Sequence, residues 1–172
     1  NVLADFIATG TYDISDRAFV TTPSPSMDIL ISSNLERLLY ELAGAETGRG
    51  WMAELAERRR FTVDRVTFAK VRELMIADWV TNDESLATIK RVYDEYGYLM
   101  DPHTAVAWEV AERLRGEDPV LVVSTAHWAK FGADVYRALT QTAYAAELPA
   151  EASARSGLEL LEEVRRLAPA AG

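Results

Sequence analysis

Cysteine is absent from these 172 residues, which excludes disulfides, thiolate nucleophiles and cysteine-ligated zinc. Histidine is limited to His103 and His127, too few for a typical zinc site without carboxylates at helper spacing, so no metal is expected. Lysine is nearly as scarce: Lys70, Lys90 and Lys130 are the whole complement, against 15 arginines. No apolar run approaches membrane-spanning length, and the first residues lack the basic start and apolar core of a signal peptide. No membrane partner is therefore expected, and a soluble cytoplasmic protein is the default. Positive charge is also in deficit. A formal net charge of −9 argues against nucleic acid or an anionic membrane as a main partner.

What is present is a globular composition, 49% apolar and 26% charged, in a chain long enough for one ordinary domain with a core. Asn1 to Phe6 starts in a helix-like or turn pattern, Gly10 to Asp13 reads as a loop, and Ala18 to Thr22 as a short extended piece. Pro23 and Pro25 hold their neighbours extended, because proline disfavours helix at the residue before it. Ser32 or Ser33 caps a helix with Leu35, Leu38, Leu39 and Leu42 on one face. Gly44, Gly48 and Gly50 are expected to end it and open a loop. Helices follow from about Trp51 to Arg59 and from about Thr67 to Asp78 or Thr81. Arg58-Arg59-Arg60, the only run of cations, reads as a solvated helix end rather than an anion site. Asn82 or Asp83 caps a helix through Tyr93 that closes at Gly97. Tyr93, Tyr96, Tyr98 and Trp108 read most simply as core.

The later part of the chain carries stronger signals. Asp101-Pro102 is an acidic cap with proline at the first helical position, and Arg115-Gly116 stops that helix. Val120 to Ser124 is the one strand that the pattern specifies, and Ala129 to Thr142 is the helix after it. Leu121 to Phe131 thus reads as a strand whose carboxyl end delivers a hydroxyl and an imidazole to the rim of an α/β sheet, where such sheets bind ligands. Ala146 to Ser156 is weakly specified, and Gly157 to Leu167 fits a last surface helix. The fold class is therefore α/β and mostly helical. A single strand leaves its backbone groups unpaired, so the chain reads as a piece of something larger.

Three blocks carry a family resemblance: Ser24-Pro25-Ser26-Met27-Asp28-Ile29, Gly97 to Ala107 around Asp101-Pro102-His103-Thr104, and Thr125-Ala126-His127-Trp128-Ala129-Lys130-Phe131. In this order they resemble threonine synthase of bacteria and fungi, a pyridoxal-phosphate enzyme of fold type II (tryptophan synthase β-like). Its C-terminal signature reads Thr-Ala-His-Pro-Ala-Lys-Phe, and here Trp128 replaces the proline. The resemblance implies a C-terminal part of that architecture. Residues 1–30 would be a strand and loop segment entering the cofactor domain, and 31–95 a helical region. Residues 96–145 would be a helix-strand-helix unit with the cofactor-facing edge, and 146–172 a helical tail.

In fold type II enzymes a hydroxyl residue meets the pyridine nitrogen of the cofactor, and the resemblance assigns that place to Thr125. A neutral hydroxyl can donate to an unprotonated ring nitrogen, where an aspartate would keep it protonated. The bland alternative is a buried threonine that satisfies local backbone. His127 is either a turn histidine bonded to backbone or a ring lining the substrate pocket. Lys130 is either a surface lysine or a partner for phosphate. Asp101 caps its helix, and that competes with anion binding at the same helix end. His103 faces the pocket or the core, and Ser26 serves either a turn or a phosphate.

No lysine here has the serine- and asparagine-flanked context of the family's catalytic lysine, and carbonyl condensation with the cofactor requires that amine. The family's glycine-rich phosphate cradle is absent too. The resemblance implies an intact enzyme converting O-phospho-L-homoserine and water to L-threonine and phosphate with pyridoxal 5'-phosphate. This chain would supply the pyridine-side wall and no catalytic residue, would be inactive alone, and would lack its N-terminal half as partner. Self-association through the uncovered sheet edge is expected. Two other readings remain: another fold type II lyase such as threonine dehydratase, and a non-catalytic binding or assembly module derived from such an enzyme.

Overall fold

The computed structural model of the protein describes residues 1–153 and 157–169, in two compact units. One comprises Asn1–Val20 with Met27–Trp79, the other Thr21–Ser26 with Val80–Gly172.

The first unit is built on a small aromatic centre. Helix α1 (Val2–Thr9) is capped by Asn1, whose Oδ1 accepts from the Leu3 and Ala4 amides, and it ends at Gly10 with φ 75°. A Cβ at Gly10 would lie 3.0 Å from the Phe68 ring, so both the backbone conformation and the space require glycine. Strand β1 (Thr11–Asp13) follows. Helices α2 (Ser33–Ala43) and α3 (Ala45–Arg58) then lead to strand β2 (Arg60–Thr62) and helix α4 (Arg65–Leu74). The strands pair antiparallel with Tyr12 opposite Phe61, whose rings stack at 5.5 Å, and Phe6 and Trp51 complete the cluster. Tyr12 is fully packed, and its hydroxyl donates to the Leu30 carbonyl at 2.8 Å. Burial raises the Tyr12 phenol, while its hydrogen bond with the Ser32 amide pulls the other way.

Helix α2 follows the expected pattern: Ser32 caps it, Leu35 and Leu39 are buried, and Leu38 and Leu42 pack against them. The glycine loop does not form. Gly48 and Gly50 lie inside α3, whose Trp51 and Leu55 are buried, so tertiary packing of the helix overrides glycine's weak helix propensity. Residues 11–13, expected as a loop, form β1 instead. Three residues are too few to show alternation, and their partners on β2 are 47 to 51 positions away (Asp13 with Arg60, Thr11 with Thr62).

The second unit packs three helices. Helix α5 (Asn82–Tyr96) opens with a reciprocal cap between Thr81 and Glu84, and α6 (Pro102–Leu114) opens at Asp101 as expected. Helix α7 (Gly132–Thr140) follows a 3-10 turn, Trp128–Phe131. Leu86, Ile89, Val92, Met100, Ala105 and Ala138 form the core between them. A short helix α8 (Ala150–Ser153) precedes α9 (Gly157–Leu167), whose Leu161 lies against Gly132 of α7. The weakly specified stretch 146–156 falls partly outside the described residues.

Two expectations are corrected here. Val120 to Ser124 is not in a strand: no described strand pairs with it, and Leu121 and Val123 are 88% and 65% exposed. An extended run cannot become a ladder without a neighbour to take its N–H and C=O groups. Tyr96 and Tyr98 are not core either, at 63% and 47% exposed; Trp108 is partly buried. Tyr96 ends α5, whose buried apolar face is Leu86, Ile89 and Val92, and Tyr98 lies past its Gly97 cap.

Candidate functional site

Residues 124–130 fold as a hydroxyl-bearing loop running into the 3-10 turn. His127 caps that turn through Nδ1, which accepts from the Ala129 amide at 3.2 Å. An N–H can only donate, so the ring proton is on Nε2, which remains available as a donor. Trp128 occupies the first position of the turn. A proline there would sacrifice no needed amide, so its replacement leaves the cap intact. The Trp128 ring lies 5.3 Å from that of His127.

This loop forms one side of an open cleft of about 530 Å³, lined by Tyr98, Leu99, Ser124, Thr125, Ala126, His127, Trp128 and Lys130. Thr125 is exposed on its wall, and its hydroxyl has no hydrogen-bond partner among the described residues. A threonine that merely satisfied buried backbone would be neither exposed nor unpartnered. Lys130 brings an ammonium to the same cleft. An exposed neutral donor, an imidazole donor and a cation suit the ring nitrogen and phosphate oxygens of a pyridoxal phosphate or a phosphorylated substrate.

Behind the cleft lies a buried carboxylate. Asp101 is 0% exposed. Its Oδ1 accepts from the His103 amide at 2.9 Å and lies 3.0 Å from His103 Nδ1, while Oδ2 accepts from the Thr104 hydroxyl. The other ring nitrogen of His103 accepts from the Ser26 amide at 3.3 Å, and the ring packs on Phe131 at 4.9 Å. Thr104 Oγ1 lies 3.2 Å from Ser124 Oγ.

The six residues singled out in the sequence therefore fall into two sets. Thr125, His127 and Lys130 share the cleft; Asp101, His103 and the backbone amide of the exposed Ser26 share the hydrogen-bond network around the buried carboxylate and do not line the cleft. Sequence reasoning missed Tyr98 and Leu99 as cleft walls, and Thr104 and Ser124 as links. Thr104 had a signal, since a hydroxyl at the third helical position can reach the free oxygen of an aspartate cap.

The family profile described as "Threonine synthase, C-terminal" matches residues 104–169. Threonine synthase of Saccharomyces cerevisiae is 36% identical over 160 residues, covering 81% of this chain and 31% of the yeast protein. Threonine synthase-like 1 of Homo sapiens is 42% identical over 144 residues, covering 81% of this chain and 19% of the human protein. Among solved structures, PLP-bound threonine synthase from Brucella melitensis matches with a TM-score of 0.76 at 34% identity, over 99% of this chain and 39% of that one. The architecture is that of the C-terminal part of a fold type II pyridoxal-phosphate enzyme. Within that class the chain belongs to the threonine synthase family. It spans 19% of the human relative, 31% of the yeast relative and 39% of the Brucella chain.

Proposed function

We propose that this chain forms the pyridine-side wall of a threonine synthase that converts O-phospho-L-homoserine and water to L-threonine and phosphate. Pyridoxal phosphate, when bound, supplies the electron sink for this chemistry. Thr125 would hold the ring nitrogen by a hydrogen bond from its hydroxyl, the proton staying on the threonine oxygen. His127, with Nδ1 held by the turn, offers Nε2–H to a phosphate oxygen, and Lys130 offers a mobile positive charge to the same group. The observation that carries this reading is the Thr125 hydroxyl, exposed on the cleft and unpartnered among the described residues.

The amine that holds the cofactor covalently comes from the part of the protein outside this chain. Lys70 donates to the Leu42 carbonyl at 3.0 Å and Lys90 is held by Asp94 at 2.6 Å, so both are engaged elsewhere. The 172 residues alone should bind no reducible cofactor adduct and release no phosphate from O-phosphohomoserine. Borohydride treatment followed by mass spectrometry checks the first point; a cofactor adduct on Lys70, Lys90 or Lys130 together with phosphate release would refute both.

The complete protein should form threonine from O-phosphohomoserine. Thr125→Val preserves shape but deletes the donor; a hydrogen bond of about 1 kcal/mol net, more with its partner unsatisfied, puts the loss of turnover at about tenfold or above. Thr125→Ser should keep much of the activity. A valine variant as active as the parent would return Thr125 to an ordinary surface threonine. Turnover of threonine instead of O-phosphohomoserine would point to a dehydratase.

A further inference from the structure

The most unusual buried group in the second unit is the Asp101 side chain, which a capping role alone does not explain. A cap needs one oxygen to accept from a backbone amide, and Oδ1 does so with the His103 amide. Burying a charged carboxylate without further partners is costly, and the additional partners here are side chains that each reach a different segment.

The direction of each bond follows from donor chemistry. The Ser26 amide can only donate, so His103 Nε2 is the acceptor and the ring proton sits on Nδ1, facing Asp101. Thr104 Oγ1 is the donor to Asp101 Oδ2 and also, at 3.2 Å, to Ser124 Oγ, so its single proton lies between the carboxylate and the Ser124 oxygen. Two links therefore meet at one carboxylate: Ser26 through His103, and Ser124 through the shared hydroxyl of Thr104. The chain from Ser26 through His103 polarises in a common sense, each bond strengthening the next.

Ser124 directly precedes Thr125. Among the described residues, its bond to Thr104 is the hydrogen bond that ties residues 118–126 to the rest of their unit. A hydroxyl that must meet one ring atom needs a backbone held within a fraction of an ångström, and a loop without other anchors does not provide that.

We propose that Asp101 is a positioning hub: through Thr104 and Ser124 it fixes the loop that presents Thr125, and through His103 it fixes the Pro25–Ser26 turn. This inference rests on the cofactor-facing role of Thr125 argued above and adds residues that touch neither cofactor nor substrate.

The test uses the complete protein carrying Ser124→Ala, Thr104→Val, Thr104→Ser or the Ser124→Ala/Thr104→Val pair, with Thr125→Val alongside. The readouts are the equilibrium binding of pyridoxal phosphate, followed by its absorbance, and hydrogen exchange of residues 120–127. Loss of one hydrogen bond of about 1 kcal/mol corresponds to about fivefold weaker binding. Ser124→Ala and Thr104→Val should each show that loss and faster exchange in 120–127. The double variant should be no worse than the worse single variant, because both remove the same bond. Thr104→Ser should restore both readouts.

Ser124 is exposed, so its alanine variant folds and decides the matter even if Thr104→Val does not. Unchanged exchange and affinity in Ser124→Ala would overturn the hub, as would additive losses in the double variant. If Thr125→Val weakens cofactor binding while Ser124→Ala does not, the hub fails and the cleft assignment stands. If Thr125→Val is silent while Ser124→Ala and Thr104→Val loosen the loop and weaken binding, the hub stands and the Thr125 assignment fails.

Discussion

Asp134, in the first turn of α7, is the residue whose ionisation works most clearly against the fold. Burial raises its carboxyl above the ordinary aspartate value of 3.8, and Arg137 only partly opposes this. With the folded pKa above the unfolded one, the folded state holds its proton longer. The resulting stability is fully present below pH 3.8 and is lost as pH rises through the raised folded value. Asp134→Asn removes that dependence. The variant should melt higher than the parent at pH 7, with the gap closing as pH falls toward 3.8. Thermal melts across pH 3 to 8 check this, and a lower melting temperature for Asn at pH 7 would mean that the charge at the helix start outweighs burial. At this scale the sequence was informative where neighbours in space are neighbours in the chain. Thr125, His127 and Lys130 lie within six positions and share one cleft. The role of Asp101 was half legible: its cap follows from Asp-Pro, but the links to Ser26 and Ser124 span 75 and 23 positions and leave no periodic trace.

Among the elements, termini were easier to read than interiors. Asp101-Pro102 opened α6 as read, whereas the cap of α5 is Thr81, one position before the expected Asn82 or Asp83: its hydroxyl accepts from the Glu84 amide while Glu84 accepts from the Thr81 amide at 2.6 Å. That contact, with its amide and hydroxyl partners, holds the Glu84 carboxyl below its usual range. Its stabilising contribution is therefore present above 4.5 and fades as pH falls. Thr81→Ala should cost about 1 kcal/mol, or roughly 2–4 °C in melting temperature. A change below half a degree would show that the cap is replaced by solvent. Gly10→Ala should cost more, since the left-handed conformation alone costs about 1–2 kcal/mol and the new methyl meets the Phe68 ring at 3.0 Å. An alanine variant as stable as the parent in denaturant melts would exclude that strain. The failures of reading, glycines inside α3 and strand β1, share one physical cause. Both are decided by packing that local propensity does not record, the burial of Trp51 and Leu55 on α3 and the placement of Phe61 opposite Tyr12.

At the scale of the whole molecule, the segment 120–123 has the composition of a strand and the surroundings of a loop. Val120, Leu121 and Val123 are all exposed, and no described strand pairs with them. Single exposed apolar residues are ordinary, but an extended apolar run with open backbone groups is what natural sheets cover. The yeast and Brucella relatives are about three times as long as the part that matches. We therefore expect the remainder of the complete protein to supply the neighbouring strands, and the 172 residues alone to associate with copies of themselves at micromolar concentration. Replacing Leu121 and Val123 together by lysine separates these ideas. In the isolated chain the double substitution removes apolar surface and adds repulsion, so sedimentation should shift toward monomer with little change in melting temperature. On that expectation the same two side chains would be buried in the complete protein, each contributing roughly 1.5–3 kcal/mol when fully covered. Placing ammonium groups there should therefore cost on the order of 3 kcal/mol or more and lower the melting temperature by several degrees. A complete protein as stable with the two lysines as without them would mean that the segment faces solvent in the natural assembly. The extended run would then be a surface loop, and the cleft beside it would be bounded by this chain alone.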